Sequence, residues 1–146
     1  MKRVYVDEKW CLGCHLCEYY CAFANSGKSD MVDAFKNMKL SPRIRIEEGR
    51  EGAKAISFAV SCRHCDEPFC VKSCIAGAIR QEDGIVVIDS EKCVGCCTCI
   101  LVCPFGALSP SQNGTMLKCE LCINNAGGVP ACVKGCINRA IVFEER

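Results

Sequence analysis

No apolar run in this sequence approaches the roughly 18 residues that carry a helix across a bilayer, so no direct membrane span is expected. The opening residues, MKRVYVDEKWCLGC, contain neither an apolar signal core nor a small-residue cleavage site, and a cytoplasmic protein is the expectation. Neither sign of charge is in excess: 18 Lys and Arg against 17 Asp and Glu leave a net charge of +1. The chain therefore lacks the basic field that gathers nucleic acid. No nucleophile–base pair and no phosphate-cradling loop can be found, which removes the usual signs of covalent catalysis and nucleotide hydrolysis.

What the chain has instead is cysteine, 17 in 146 residues. That density marks a disulfide or metal scaffold. Disulfide frameworks belong to oxidising compartments, so clustered thiols in a cytoplasmic protein are read as metal ligands. All but one fall into four groups of four. Cys11, Cys14, Cys17 and Cys21 are spaced C-x2-C-x2-C-x3-C, as are Cys93, Cys96, Cys99 and Cys103. Cys62, Cys65, Cys70 and Cys74 are spaced C-x2-C-x4-C-x3-C, and Cys119, Cys122, Cys132 and Cys136 are spaced C-x2-C-x9-C-x3-C. Cys97 is left over.

Three thiolates two residues apart wrap a tight loop around three irons of one [4Fe–4S] cluster. The cysteine four positions later lies on the following helix, faces away, and ligates the other cluster of a pair. Four such groups make four [4Fe–4S] clusters in two pairs. Zinc is the competing reading, because structural zinc sites join two C-x2-C knuckles by a longer loop, and the fourth group alone has that form. A third cysteine two residues after the second has no place in a knuckle, which favours iron in the first and third groups.

Three groups repeat one tail after their last cysteine: CIAGAI (74–79), CPFGAL (103–108) and CINRAI (136–141). The segments IVVID (85–89) and IVFEE (141–145) read as strands, as do RVYV (3–6) and ISFAV (56–60). Asp83-Gly84 predicts a hairpin over 78–88. The repeating unit is strand, cluster loop, short helix, strand. The expected fold class is α+β, two ferredoxin-like two-cluster modules whose short strands and helices wrap iron–sulfur clusters. A sequence this short buries little apolar core, so clusters should fill its interior and folding should depend on metal.

The second group in its context, CRHCDEPFCVKSCIAGAI, resembles the four-cluster electron-transfer subunits of molybdenum, tungsten and nickel oxidoreductases, including His64 before Cys65 and Pro68 before Cys70. The dimethyl sulfoxide reductase iron–sulfur subunit and the formate hydrogenlyase polyferredoxins belong to that family. The stretch CLGCHLCEYYCAFANSGKSDMVDAFKNMKLSPRIRI is similar to the iron–sulfur subunit that accompanies carbon monoxide dehydrogenase. The resemblance implies nested pairing, the first group sharing clusters with the fourth and the second with the third; spacing alone permits sequential pairing as well. Carried onto this sequence, it puts Cys11, Cys14, Cys17 and Cys136 on one cluster and Cys119, Cys122, Cys132 and Cys21 on its neighbour. Cys62, Cys65, Cys70 and Cys103 hold a third, and Cys93, Cys96, Cys99 and Cys74 the fourth. Residues 1–28 with 112–146 then form one module, 56–111 the other, and 29–55 an inserted helix or loop. Proline follows only one fourth cysteine, at Pro104; Ala22, Ile75 and Ile137 stand at the other three places.

Cys97 is read as a small apolar side chain packed near a cluster, with an alternative ligand or a redox-reactive thiol as the other reading if it is exposed. His15 and His64 are expected to support ligands through N–H bonds to sulfur or backbone. Trp10, Tyr19, Tyr20 and Phe105 are expected to pack around clusters and exclude water. Residues 29–39 predict a helix capped by Ser29 or Asp30, with Met31, Phe35 and Met38 on one face. That helix either covers the first cluster pair or, with Arg43 and Arg45, docks a partner.

No group offers a cubane only three cysteines, so no open iron for substrate is indicated and the protein is expected not to be an enzyme. The expected role is a non-catalytic electron wire. One end would meet a catalytic oxidoreductase subunit, of carbon monoxide dehydrogenase or tungsten or molybdenum aldehyde or formate oxidoreductase type. The other would meet a ferredoxin or a flavin NAD(P)H oxidoreductase. A free diffusible polyferredoxin and a zinc-binding interaction module are the alternatives.

Overall fold

A computed structural model describes residues 1–36, 39–125 and 127–146. In sequence order its elements are β1 (Arg3–Val6), α1 (Leu16–Ala24), α2 (Met31–Phe35), β2 (Ile44–Glu51), β3 (Lys54–Ser61), α3 (Phe69–Lys72), β4 (Ile79–Glu82), β5 (Ile85–Ile88), α4 (Thr98–Leu101), β6 (Ser109–Pro110), β7 (Met116–Leu117), α5 (Ala131–Gly135) and β8 (Ile141–Glu144). The strands pair antiparallel, two by two, as β1–β8, β2–β3, β4–β5 and β6–β7. This is the α+β class expected, with long loops between short elements because the loops carry the cysteines.

The β1–β8 ladder puts the first and last strands side by side, with Val4 opposite Phe143 and Val6 opposite Ile141. An ion pair between the Met1 ammonium and Glu145 extends it. The hairpin expected over 78–88 forms as β4–β5. Its turn residues Asp83 and Gly84 both have positive φ, 47° and 81°, as a type I′ turn requires. Val4, Ile141 and Val86 are buried from these ladders.

The segment 29–55, expected as an inserted helix or loop, differs from that description. Among its described residues only Met31–Phe35 is helical, capped by Asp30, whose carboxylate accepts the Asp33 N–H at 2.9 Å. Met38 lies outside the described residues. From Ile44 the backbone is a strand, and β2 pairs with β3 along its whole length, Ile44 opposite Ser61 and Glu51 opposite Lys54. This hairpin crosses the boundary drawn at 55/56. Its far end, EGRE against KAIS, is charged and largely exposed, so the alternation that marks a strand is clear only near Ile44 and Ala59. The tight link is made at Gly52, φ +62°.

Two buried clusters form the core, and cysteine is part of both. One joins Val4, Ile44, Ala59 and Ile141 to Cys17, Cys21, Cys62, Cys119 and Cys132. The other joins Ile79, Val86, Leu108 and Met116 to Cys99. Helix α5 sits directly on α1: at Gly135 an added Cβ would overlap the Tyr20 ring.

Candidate iron–sulfur sites

The four cysteine loops share one backbone device. The residue before the second cysteine is left-handed in every group: Gly13 at φ +65°, His64 at +48°, Gly95 at +68° and Leu121 at +55°. In two of the loops the curl turns that residue's N–H back onto the first thiol. His64 N–H donates to Cys62 Sγ at 3.4 Å, and Leu121 N–H donates to Cys119 Sγ at 3.5 Å. In the first and third groups a second left-handed residue follows, His15 at φ 61° and Cys97 at φ 62°, and each opens a helix. Cys17 and Cys99 thereby lie in the first turns of α1 and α4.

The shared tail is a turn. Gly77, Gly106 and Arg139 are left-handed, and their N–H groups donate to the carbonyls of Cys74, Cys103 and Cys136 at 3.1, 3.2 and 3.2 Å. The first group departs from this, because helix α1 continues past Cys21 to Ala24.

Three cavities each gather three cysteines of one group and the last of another. Cys11, Cys14, Cys17 and Cys136 line about 330 Å³ beneath Trp10 and Leu12. Cys62, Cys65, Cys70 and Cys103 line about 370 Å³ with Phe69 and Phe105. Cys93, Cys96, Cys99 and Cys74 line about 300 Å³ with Ile79, Ile88 and Met116. The remaining four, Cys21, Cys119, Cys122 and Cys132, act on one another electrostatically.

Electrostatic neighbours connect these cysteine groupings in series. Cys132 feels Cys17 of the first cavity, Cys119 feels Cys62 of the next, and Cys99 feels Cys70 across the following step. Burial pushes the Cys17 and Cys119 thiols up to about 12 and Cys99 to about 11, and raises Cys132 well above the ordinary thiol range. Such thiols hold their protons until a cation displaces them, so loading with iron must release protons.

The donor set fits iron–sulfur clusters. It is thiol throughout, sixteen cysteines in four groups of four. His64 fits as well. It is fully buried, and its Nδ1 accepts the Val86 N–H at 3.0 Å, which places the ring proton on Nε2. That Nε2–H has no partner among the described residues, and sulfur is the acceptor chemistry of its surroundings. Burial, with Lys118 and Arg3 nearby, lowers His64 to about 3, so it is a neutral donor.

Other expected roles change. His15 faces Glu18 instead of sulfur, Nδ1 to Oε2 at 2.7 Å, while the other Glu18 oxygen accepts the Ile46 N–H at 2.6 Å. Cys97 is exposed, not packed, and is absent from the lining beside Cys96. Trp10 is 61% exposed, yet still roofs the first cavity. Phe35 packs edge-on against Tyr19, centroids 5.6 Å apart, and against Phe23 at 6.5 Å. Arg43 donates its N–H to Cys21 Sγ at 3.2 Å and pairs its guanidinium with Glu120 at 2.8 Å. Arg45 donates to the Gly106 carbonyl at 2.6 Å. Glu18, Glu120 and Lys118 carry structural work that sequence reasoning missed; only their adjacency to cysteines signals it.

Residues 53–146 match the family described as a 4Fe-4S dicluster domain. The protein belongs to this family. It is 34% identical over 154 residues to an iron-sulfur protein of Rhodospirillum rubrum, covering 94% of this sequence and 79% of that one. It is 37% identical over 144 residues to the thiosulfate reductase electron transfer subunit PhsB of Salmonella typhi, covering 94% and 72%. Identity to YnfG of Escherichia coli, a probable anaerobic dimethyl sulfoxide reductase component, is 32% over 152 residues, covering 95% and 71%. The fold is also that of a chain in the active site complex BamBC of benzoyl coenzyme A reductase, TM-score 0.51 at 22% identity over 100% of this protein and 80% of the other. Within the family this protein is an iron–sulfur electron-transfer protein, not a catalytic subunit. Among the described residues no helix is long and apolar enough to cross a membrane.

Proposed function

We propose that this protein conducts single electrons along four [4Fe–4S] clusters as the electron-transfer subunit of a cytoplasmic oxidoreductase complex. The observation that supports the proposal is three cavities, each lined by three cysteines of one group and the last of another, with the remaining four cysteines acting on one another. The ligand sets are Cys11, Cys14, Cys17, Cys136; Cys119, Cys122, Cys132, Cys21; Cys62, Cys65, Cys70, Cys103; and Cys93, Cys96, Cys99, Cys74. When bound, each cluster accepts and returns one electron at a potential set by its surroundings.

The protein's part is to hold, shield and solvate. The left-handed loops fix thiol spacing. Backbone N–H groups of Arg43, His64, Ala107 and Leu121 donate to ligand sulfurs, which stabilises added negative charge. Cys21, Cys119 and Cys132 are buried in the core, which keeps water from the set they share.

A complex, rather than a free carrier, is favoured by the two ends of the series. Trp10, Leu12 and Ile137 stand exposed around the first set, and Ile75, Val94 and Leu101 around the last. Apolar collars at both ends suit a partner at each. The resemblance to the carbon monoxide dehydrogenase-associated subunit supports a low-potential nickel–iron, tungsten or molybdenum enzyme at one end, with a ferredoxin or flavin NAD(P)H oxidoreductase at the other. Residues 29–45 are proposed as a lid over the outer sets, because Phe35, Arg43 and Arg45 are engaged within the protein.

Anaerobic purification tests this. About 16 iron and 16 sulfide per protein molecule are expected, together with a co-purifying catalytic subunit. Substantial zinc with under about half that iron would reject the four-cluster reading.

A further inference from the structure

Lys118 is fully buried and is the bulkiest side chain in that condition. Burying an ammonium is costly unless it is hydrogen-bonded and electrically compensated. Its Nζ donates to two backbone carbonyls, Val86 and Cys119, the latter at 2.6 Å. Both acceptors are neutral, so they fix the head group without cancelling its charge. Val86 belongs to the β4–β5 hairpin and Cys119 to the fourth cysteine group, so the lysine ties the two halves together at the step between the two middle sets. Its field reaches Cys119 on one side of that step and Cys70 on the other.

We propose that Lys118 is a potential-setting residue for electron transfer: its fixed charge raises the reduction potentials of the two middle clusters and so favours the electron's passage between the halves of the protein. The inference rests on the ligand sets proposed above. Compensation must come from those sets, since each reduction adds a negative charge that a nearby buried cation stabilises in a weakly screening interior. The first set stands further along the series from this cation, with Cys17 set beside Glu18. A step between unlike neighbours is where such a charge has the most effect.

The test is an anaerobic redox titration of the full-length protein followed by electron paramagnetic resonance, with iron and sulfide assays on every sample. In K118M and K118Q, two of the four cluster signals should move to lower potential by about tenfold in the electron-binding equilibrium, about 59 mV for one electron. The other two should stay, and iron content should be unchanged. K118R should titrate like the wild type. Unmoved potentials at full iron content, or an equal shift of all four, would overturn the proposal. Iron loss in both neutral variants with retention in K118R would support a requirement for the charge, because glutamine keeps the hydrogen bonding; loss in K118R too would show a role in shape only and overturn it. A wild-type protein with other than four clusters would fault the ligand sets and not the lysine.

Discussion

Under the proposed pairing, the two halves of this protein would solve one ligand problem by opposite routes. The inner half, built from the second and third groups, is local: the β4–β5 hairpin lies between its cysteine loops, and its turn is written in Asp83-Gly84. The outer half, built from the first and fourth groups, exists only because the first and last strands meet in β1–β8 and α5 settles on α1 through Gly135 and Tyr20. Closing the outer half therefore costs more conformational entropy, and it should be the more easily lost. The long β2–β3 hairpin joins them: Arg45 reaches the Gly106 carbonyl of the inner half, and the Glu18 carboxylate holds the Ile46 N–H from the outer.

Iron removal should erase the contrast by unfolding both halves, since the core clusters are partly cysteine. Anaerobic chelation followed by circular dichroism is the measurement, and a native-like spectrum would show a core sufficient without metal. Truncation after Ala140 should separate the halves. Without β8 the outer half loses its ladder, and iron should fall to roughly 8 of about 16 atoms per molecule. Loss of all iron, or none, would mean that the halves do not fold as units.

Single ligand changes sharpen the contrast further. Cys136→Ser should disturb only the cluster of Cys11, Cys14 and Cys17, whereas Cys74→Ser should disturb only that of Cys93, Cys96 and Cys99. Site-resolved spectroscopy that assigns Cys136 to the third group instead would establish sequential pairing.

Smaller effects are expected at the joints. Arg43→Ala removes the cation beside Glu120, whose carboxylate still accepts the Ile88 N–H, and should cost roughly 1–3 kcal/mol in denaturant titration of the loaded protein. Phe35→Ala removes edge-on contacts to Tyr19 and Phe23 and should cost roughly 1 kcal/mol, with iron unchanged. Cys97→Ser should leave all four signals in place, because the thiol is exposed and outside the cavity lining. A missing signal would make it a ligand.

Most of the chemistry could be read along the sequence. Thiol spacing, the Gly13 and Gly95 positions and the repeated tail are all local, since a tight loop around a cluster demands fixed steps and left-handed turns within a few residues. The same loop geometry is hidden in the second and fourth groups, where His64 and Leu121 take the left-handed position that glycine fills elsewhere. Non-glycine residues accept that conformation only when the surroundings hold them, and here the holders are Val86 N–H for His64 and the core for Leu121.

By itself, then, the sequence determined which residues are thiol donors and where the strands near 3–6, 56–60 and 141–144 and the hairpin over 78–88 lie. Tertiary structure alone decided which cysteines meet, because three cavities each bring three cysteines of one group to the last of another from positions distant in the sequence. It also decided that Lys118 is buried, that Arg43 and Glu120 pair, and that Cys97 faces out. Spacing limits what sequence neighbours can do; only packing brings the last cysteine of one group to the first three of another.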